Sequence, residues 1–568
     1  MGEYEFEQLK KKILELEAEL KSAKKFGLVW DKENTPEAIV DECKDNIPFL
    51  YCDQIRTIKR GDINNLLIEG DNYHALTCLN MINFGEGFVD AVYIDPPYNT
   101  GAKDWKYNND YVDSEDGFRH SKWLRMMERR LKLAREIMKP SGVIICAIDH
   151  YELFQLGMLM NEIFGENNRF GIITVVHKPE GRQFTKGLNP TNEFYLIYGK
   201  NRAFATLRNV PLTSEKKDEF NLSDNKGNYR LEPYMRLKYG DLNNRENKPN
   251  NWFPVYVSKD LKTISLFEID DAYVVYPIYK GIEKSWSTSK QLFQENIDND
   301  EVAAQLKNGK VELFKKYREQ ESIKTHWVKK EYNATVFGTK LLRTIIGDTT
   351  FNFPKSLYAV IDALKISSNK DAVVLDFFAG SGTTGHAVLE LNKEDGGHRK
   401  FILCTNNESN ICEEVTYPRL KTVLTGIRPD GSKYSDGLPG NLYYLKTDFL
   451  KNEDNVDQAK YNLVEKIDSL LCILEDAFDQ VSRNSYSSHY RNGNKHLFIY
   501  NEFYNEALFN QFKTEVEKTD GEKVVYVFDS ENIYDNSHFD RQDIVEKPIP
   551  AKIYEIYKEI VNGIKRGE

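Results

Sequence analysis

Val92-Tyr93-Ile94-Asp95-Pro96-Pro97-Tyr98-Asn99-Thr100-Gly101 closes an apolar run that begins at Val89 and breaks abruptly into an acid and two prolines. Such a run, ended by residues that lack an N–H and hold φ near about −65°, reads as a strand buried on both faces and stopped at its carboxyl end. The pattern repeats on both sides. Leu66-Leu67-Ile68 is a short strand ending at Glu69-Gly70-Asp71-Asn72, followed by a helix through Leu79. An amphipathic helix is predicted over Ser121 to Met138, stopped by Pro140-Ser141-Gly142, and a strand over Val143 to Ile148. Much later come a helix near Ser356 to Leu364, a strand Ala372 to Phe377, a helix from Thr383 and a strand Phe401 to Cys404. Apolar strands alternating with helices specify an α/β fold with a mostly parallel sheet covered on both faces. In such sheets ligands sit beyond the carboxyl ends of the strands, where Asp95 falls.

The 568 residues carry a net charge of −11, enough chain for roughly three or four domains. Net charge is a weak guide to partners, because nucleic-acid binding needs a local basic surface rather than a basic total. Two basic clusters stand out, Arg125 to Arg135 and Lys315-Lys316-Tyr317-Arg318, each readable as a binding face or as a solvated helix face. The seven Cys are scattered with no C-x-x-C pair, so neither a disulfide framework nor a zinc site is expected. No apolar run reaches about 18 residues and the first residues lack a signal-peptide core, so the expectation is a cytoplasmic protein with no membrane span and no metal.

Composition divides the chain further. Leu9, Ile13, Leu16 and Leu20 form an a/d seam in the segment Phe6 to Ala23, fit for a short coiled coil or for local packing. Residues 1–30 are set apart as an N-terminal helix. Between 200 and 345 the chain is rich in Asn, Asp, Lys, Tyr and Trp, with short strands such as Ala272 to Tyr276. Residues 31–199 and 346–449 are the two α/β halves around it. Residues 450–568 make an α+β region, helical over Ala459 to Val481 and then with strands such as Lys523 to Phe528.

The tetrapeptide Asp95-Pro96-Pro97-Tyr98 carries a specific chemistry. Two prolines stiffen the backbone and leave its carbonyls as outward-facing acceptors. An exocyclic amine on a flat ring offers two N–H donors, while its lone pair is drawn into the ring. Asp95 and the Pro96 carbonyl could accept both protons and favour a tetrahedral nitrogen whose lone pair faces an electrophile. Tyr98 could stack on the ring once it is turned out of a helix. The plainer alternative is a proline-rich turn capped by Asp95. The second motif, Asp376-Phe377-Phe378-Ala379-Gly380-Ser381-Gly382-Thr383-Thr384-Gly385, runs from a strand through a glycine turn into a helix. Glycines allow close approach of backbone to ligand, and a helix N-terminus favours an anionic group. An ordinary βα turn is the alternative here, and no Gly-Lys-Ser/Thr follows for a nucleoside triphosphate.

Together the two motifs resemble the S-adenosylmethionine-dependent amino-methyltransferases of DNA. The order, catalytic motif first and cofactor loop last with a long insert between, resembles their permuted β class. Leu66 to Leu79, Tyr93 to Asp104, Arg119 to Leu133, Phe353-Pro354-Lys355-Ser356 and Phe377 to His386 look more specifically like the modification subunits of type III restriction-modification systems. The resemblance covers about residues 25 to 420.

It implies a Rossmann-like methyltransferase in two halves, with a target-recognition domain over 200–345. Residues 450–568 lie outside it and, like the Phe6 to Ala23 seam, read either as a partner or dimerisation region or as helices packing locally. It implies transfer of a methyl group from S-adenosyl-L-methionine to N6 of a flipped-out adenine. Asp95, Pro96, Pro97 and Tyr98 would be catalytic. Asp376, Phe378, Gly380, Gly382 and Thr383 would surround the methionine half of the cofactor, with Lys355 and Ser356 as a further binding segment. Asp71 sits where the family contacts the adenine half, and Glu408, with Asn407 as rival, where it binds the ribose. The implied partners are double-stranded DNA, a second copy of the chain as a homodimer, and a restriction helicase-nuclease subunit. Cytosine-N4 methylation, which more often uses Ser at the first tetrapeptide position, stays open, as do an RNA or protein-amide substrate and a non-catalytic recognition subunit. No Pro-Cys context surrounds any Cys, so attack at cytosine C5 is not expected.

Overall fold

In the computed structural model the apolar runs read from the sequence line up side by side in one ten-stranded sheet. The structure describes residues 30–562 apart from 32–34, 182–187, 210–218, 236–242, 319–322, 452–455, 503–504, 529–537, 540 and 550–551. The Phe6 to Ala23 seam therefore lies outside the described residues.

The strands of the large sheet are β1 (Asn46–Ile58), β2 (Asn64–Glu69), β3 (Val89–Ile94), β4 (Met138–Ile148), β5 (Arg169–Val176), β6 (Asn192–Gly199), β7 (His326–Trp327), β8 (Val373–Asp376), β9 (Lys400–Thr405) and β10 (Asn441–Lys451). Their order is β1-β10-β2-β9-β8-β3-β4-β6-β5-β7. The six central strands, β10 to β4 in that order, run parallel. β1 pairs antiparallel with β10, and β6 is antiparallel to both β4 and β5. The central strands are buried almost continuously, with Val143 to Ile148 wholly in the core, as a sheet covered on both faces requires. β8 slots between β9 and β3, pairing Val374 with Ala91 and Leu375 with Val92 across almost three hundred residues of chain.

Helices Asn72–Met81 and Arg119–Ile137 pack on each other, the first also against β1 and β9, and helix Thr383–Asp395 packs on β9. Gly385 makes that last packing possible. A Cβ there would stand 2.8 Å from Leu420 Cδ2 and 2.9 Å from Leu403 Cδ1. Gly385→Ala is expected to destabilise the fold by about 1–3 kcal/mol through overpacking, seen as a lower unfolding temperature by calorimetry; an unchanged temperature would show that the two leucines yield freely.

Chain contacts separate Asn209–Ile323 from the remainder. This unit holds a four-stranded antiparallel sheet, Val302–Lys307, Lys310–Arg318, Gly227–Pro233 and Leu222–Asp224 in spatial order. Its own core gathers Tyr234, Phe253, Val255, Trp286 and Phe293. Residues 324–345, grouped with the insert by composition, belong instead to the larger unit: His326 and Trp327 form β7 beside β5, and buried Trp327 stacks on Tyr332 at 5.7 Å. Aromatic side chains made this stretch look like the insert, although they are core here.

Other expectations are corrected. Pro140-Ser141-Gly142 does not separate helix from strand; β4 already starts at Met138 and bulges there, pairing Met138 with Val89 and then Val143 with Ala91. The helical stretch Ala459 to Val481 is two helices, Val456–Val464 and Asp468–Glu475, followed by a strand Asp479–Arg483. Asp476 turns the chain in the left-handed conformation. Neither basic cluster is a solvated helix face. Arg130 is buried against Glu37 at 2.5 Å and Asp71 at 3.2 Å. Lys316 and Arg318 lie on a strand and pair with Asp224, Asp300 and Glu301.

The C-terminal region forms a five-stranded sheet, Asp479–Arg483, Ser487–Asn492, Lys495–Tyr500, Glu522–Phe528 and Ile544–Ile549, the last three parallel. Alternation splits its faces. Leu497, Ile499 and Tyr526 join the core shared with the large sheet, while Phe498, Tyr500 and Val525 pack on Phe509 and Phe512 of helix Glu506–Lys518. Among the described residues no helix is long and apolar enough to cross a membrane.

Candidate active site

The parallel register brings four strand ends to one edge of the sheet: β2 ends before Asp71, β3 before Asp95, β8 at Asp376 and β9 before Asn406-Asn407. Residues far apart in sequence are neighbours there because β8 and β9 insert between β2 and β3.

Asp95 meets Lys355 from far along the chain, and Lys355 in turn brings in Glu193. Lys355 Nζ stands 3.0 Å from Asp95 Oδ1 and 3.0 Å from Glu193 Oε2, and donates to the Tyr98 hydroxyl. The Tyr98 O–H donates to Glu193 Oε2 at 3.0 Å, and the Lys355 ammonium lies 4.6 Å from the Tyr98 ring centre. Asp95 Oδ1 is itself buried against Lys355, while the Asp95 side chain as a whole keeps part of its surface exposed. Burial raises the Asp95 carboxyl, Lys355 opposes this, and Glu193 adds to it. Burial would raise Glu193 as well, but Lys355 and then His177 hold it below the ordinary carboxylate range. The two acids in turn keep Lys355 charged despite its burial.

The turn that carries the prolines is fixed from beneath. Trp123, fully buried on helix Arg119–Ile137, donates its indole N–H to the Pro97 carbonyl at 2.7 Å. Asn99 is buried in the left-handed region at φ 56°. Its amide nitrogen donates to Glu152 Oε1 at 2.5 Å, and its oxygen accepts from Trp105 Nε1 at 3.0 Å. His120 Nδ1 meets the same Glu152 oxygen at 2.5 Å. Trp123→Phe keeps an aromatic ring in place but leaves some space and the Pro97 carbonyl without its donor, the latter a loss of about 1–3 kcal/mol. It is expected to slow the site's reaction about tenfold or more with little change in cofactor affinity; equal losses in both would place Trp123 in general packing.

The glycine loop departs from β8. Buried Asp376 accepts from Phe378 N at 2.9 Å and Thr384 Oγ1 at 2.5 Å, and burial pushes its carboxyl up to about 7. Gly380 and Gly382 take φ 47° and 74°, and Gly382 caps helix Thr383–Asp395. A Cβ at Gly382 would press on Thr416 Cγ2 at 3.1 Å. Phe378 is half-buried beside Phe377, whose carbonyl accepts from Asn72. Thr383 Oγ1 accepts from buried Arg419 at 2.8 Å. The loop thus offers backbone approach and a helix N-terminus over a buried cation, a donor set matched to a carboxylate.

The remaining expected residues are placed less uniformly. Asp71 caps helix Asn72–Met81 by accepting from Tyr73 N at 2.7 Å and pairs with Arg130. Ser356 is buried and donates to the Glu331 carbonyl at 2.6 Å, whereas its neighbour Lys355 joins Asp95. Glu408 forms an ion pair with Lys106, and Asn407 Oδ1 accepts from Glu413 N at 3.1 Å. Glu193, Trp123, Asn99 and Arg419 were not singled out from sequence. Glu193 left a trace, an acid entering the apolar strand Asn192–Gly199.

Residues 89–416 match the N6/N4 DNA methylase family, whose description is DNA methylase. The chain is similar to the type III restriction-modification enzyme EcoPI Mod subunit of Escherichia phage P1, 32% identical over 61% of this chain and 58% of the relative. It is 33% identical to the type II methyltransferase M.KpnI of Klebsiella pneumoniae, over 67% of this chain and 86% of that protein. With the StyLTI Mod subunit of Salmonella typhimurium the identity is 28% over 69% and 62%. The chain thus spans about three-fifths of the length of the two Mod subunits.

Proposed function

The chain belongs to the N6/N4 DNA methylase family, and from that premise we propose that it is a site-specific DNA adenine-N6 methyltransferase using S-adenosylmethionine. The observation that carries this reading is Asp95: a partly exposed carboxylate at a strand end, ion-paired with Lys355, beside two prolines and an aromatic hydroxyl. When bound, S-adenosylmethionine supplies a methyl group activated on a sulfonium. Gly380, Gly382 and Thr383 would hold its methionine half at the helix N-terminus, with Asp376 and Phe378 beside them. Asp71, Lys355, Ser356 and Glu408 complete the proposed cofactor set, Lys355 by way of Asp95.

The chain's own residues then act on the base. The Asp95 carboxylate and the Pro96 carbonyl accept the two N6 protons and draw the nitrogen toward a tetrahedral shape. Pro97, tied to Trp123, keeps that carbonyl from swinging away. Tyr98 presents its ring to the flipped adenine while its hydroxyl is anchored between Lys355 and Glu193. Asp95, whose carboxyl burial makes more basic, is placed to take the proton that N6 releases. A Ser in its place could neither pair with Lys355 nor take up this proton, which favours adenine-N6 over cytosine-N4.

The separate unit Asn209–Ile323 is proposed as the reader of DNA sequence, since groove contacts need polar and aromatic area outside the catalytic core. Exposed Tyr276, Ile278 and Tyr279 lie on its surface. We further propose that the chain serves as the modification subunit of a restriction-modification enzyme, the role named for its Mod relatives, and that it acts as a homodimer with a restriction helicase-nuclease partner. Transfer of labelled methyl groups to duplex DNA, with N6-methyladenine mapped by long-read sequencing, tests the reading. Label found on cytosine or RNA, or no transfer to any duplex, would sink it.

A further inference from the structure

Beneath the glycine loop lies a buried cation with no acid beside it among the described residues. Arg419, on helix Tyr417–Thr425, is fully buried. Its Nη1 donates to Thr383 Oγ1 at 2.8 Å, Ser381 Oγ at 3.1 Å and the Ser381 carbonyl at 3.3 Å. Nη2 is 3.4 Å from His386 Nδ1, and Nε is buried without a hydrogen-bond partner. None of these partners is negatively charged. Glu390 faces the other ring nitrogen of His386, at 3.5 Å.

The contrast with its peers is informative. Three arginines are buried among the described residues. Arg130 is matched by Glu37 and Asp71, and Arg399 by Asp395 at 2.8 Å. Arg419 alone lacks such a carboxylate. A buried charge without its counter-ion costs several kcal/mol, and an apolar residue would pack there more cheaply. Burial lowers its guanidinium to about 9, so it is still a cation at neutral pH. The N-terminus of helix Thr383–Asp395 adds partial positive charge at the same loop. Both fields point to an anion that the described residues do not supply.

We propose that Arg419 is a positioning residue for the carboxylate of the cofactor's methionine half, acting through Ser381 and Thr383 to make residues 380–383 an anion site. The proposal rests on the cofactor reading given above. It assigns the missing negative charge to the ligand, so binding should relieve the cost of the buried cation.

Titration calorimetry on the full chain can read this directly, with S-adenosylhomocysteine and its decarboxylated analogue as ligands. The analogue keeps the adenosine, the sulfur and the amine. Arg419→Gln retains donors for Ser381 and Thr383 but removes the charge, whereas Arg419→Lys retains the charge. The unaltered chain is expected to prefer the carboxylated ligand, and Arg419→Gln to reduce that preference by about tenfold or more, with Arg419→Lys keeping most of it. Affinity for the decarboxylated analogue should change little. Equal weakening of both ligands would assign Arg419 to loop scaffolding alone, and an undiminished preference in Arg419→Gln would also overturn the proposal. If Arg419→Gln does not fold, Arg419→Met makes the same comparison, and its ligand-free stability is expected to match or exceed that of the unaltered chain. Failure of the unaltered chain to bind either ligand would instead overturn the cofactor reading on which the proposal depends.

Discussion

Asp95→Ala is expected to lower single-turnover methyl transfer to duplex DNA by about 10²–10⁴-fold while cofactor affinity stays within a few-fold. The substitution removes the carboxylate proposed to accept the N6 proton before and on methyl transfer. It leaves the glycine loop untouched, because Asp376, Thr384 and Arg419 hold that loop without help from Asp95. Rapid-quench transfer measured beside cofactor titration separates the two effects. A rate within tenfold of the unaltered chain would remove Asp95 from the chemistry. A parallel collapse of cofactor binding would mean that the tetrapeptide shapes the whole site rather than the reacting nitrogen.

Lys355→Met is expected to damage both stability and activity, with a distinct dependence on pH. Lys355 is the cation between Asp95 and buried Glu193, and removing it leaves two neighbouring carboxylates facing each other. Breaking such a group costs about 3 kcal/mol at neutral pH, the low end for buried pairs because Asp95 is 26% exposed. The sign follows from Glu193. Its carboxyl now lies below the ordinary range, so it adds stability above that range and loses it as the pH falls through its folded value. Without Lys355, burial and Asp95 raise it, and the ionised form becomes a liability that protonation relieves. The gap in unfolding temperature between Lys355→Met and the unaltered chain should therefore be widest near about pH 8 and shrink toward about pH 5. The acid limb of the transfer rate should move to higher pH, since Asp95 would also bind its proton more tightly. A gap that does not vary with pH, or an acid limb that stays in place, would show that Lys355 is not the partner of these acids.

Much of this site was legible before any coordinates. Asp95-Pro96-Pro97-Tyr98 and Gly380-Ser381-Gly382 are local motifs: their meaning lies in backbone stiffness, glycine freedom and the strand that delivers each, all short-range properties. Strand positions were legible for the same reason, because continuous apolar runs bounded by turn residues have few other uses. Pro140 misled because a bulge can carry a proline inside a strand, and Trp327 misled because an aromatic residue reads alike in an insert and in a core. The partners of Asp95 were not legible as partners. Glu193 and Lys355 lie 98 and 260 residues beyond it, and nothing local in either segment specifies the other.

The amino-acid sequence by itself determined that this chain makes a mostly parallel α/β sheet with a proline-stiffened acid at one strand end and a glycine loop at another. It also determined their permuted order. Only the tertiary structure decided which charges meet: Lys355 between Asp95 and Glu193, Trp123 under Pro97, and Arg419 under the loop with no acid of its own. The reason is physical. Backbone preference and hydrophobic pattern act over a few residues, whereas the pairing of buried charges depends on which strands lie side by side, and that is settled only when β8 and β9 enter the sheet between β2 and β3.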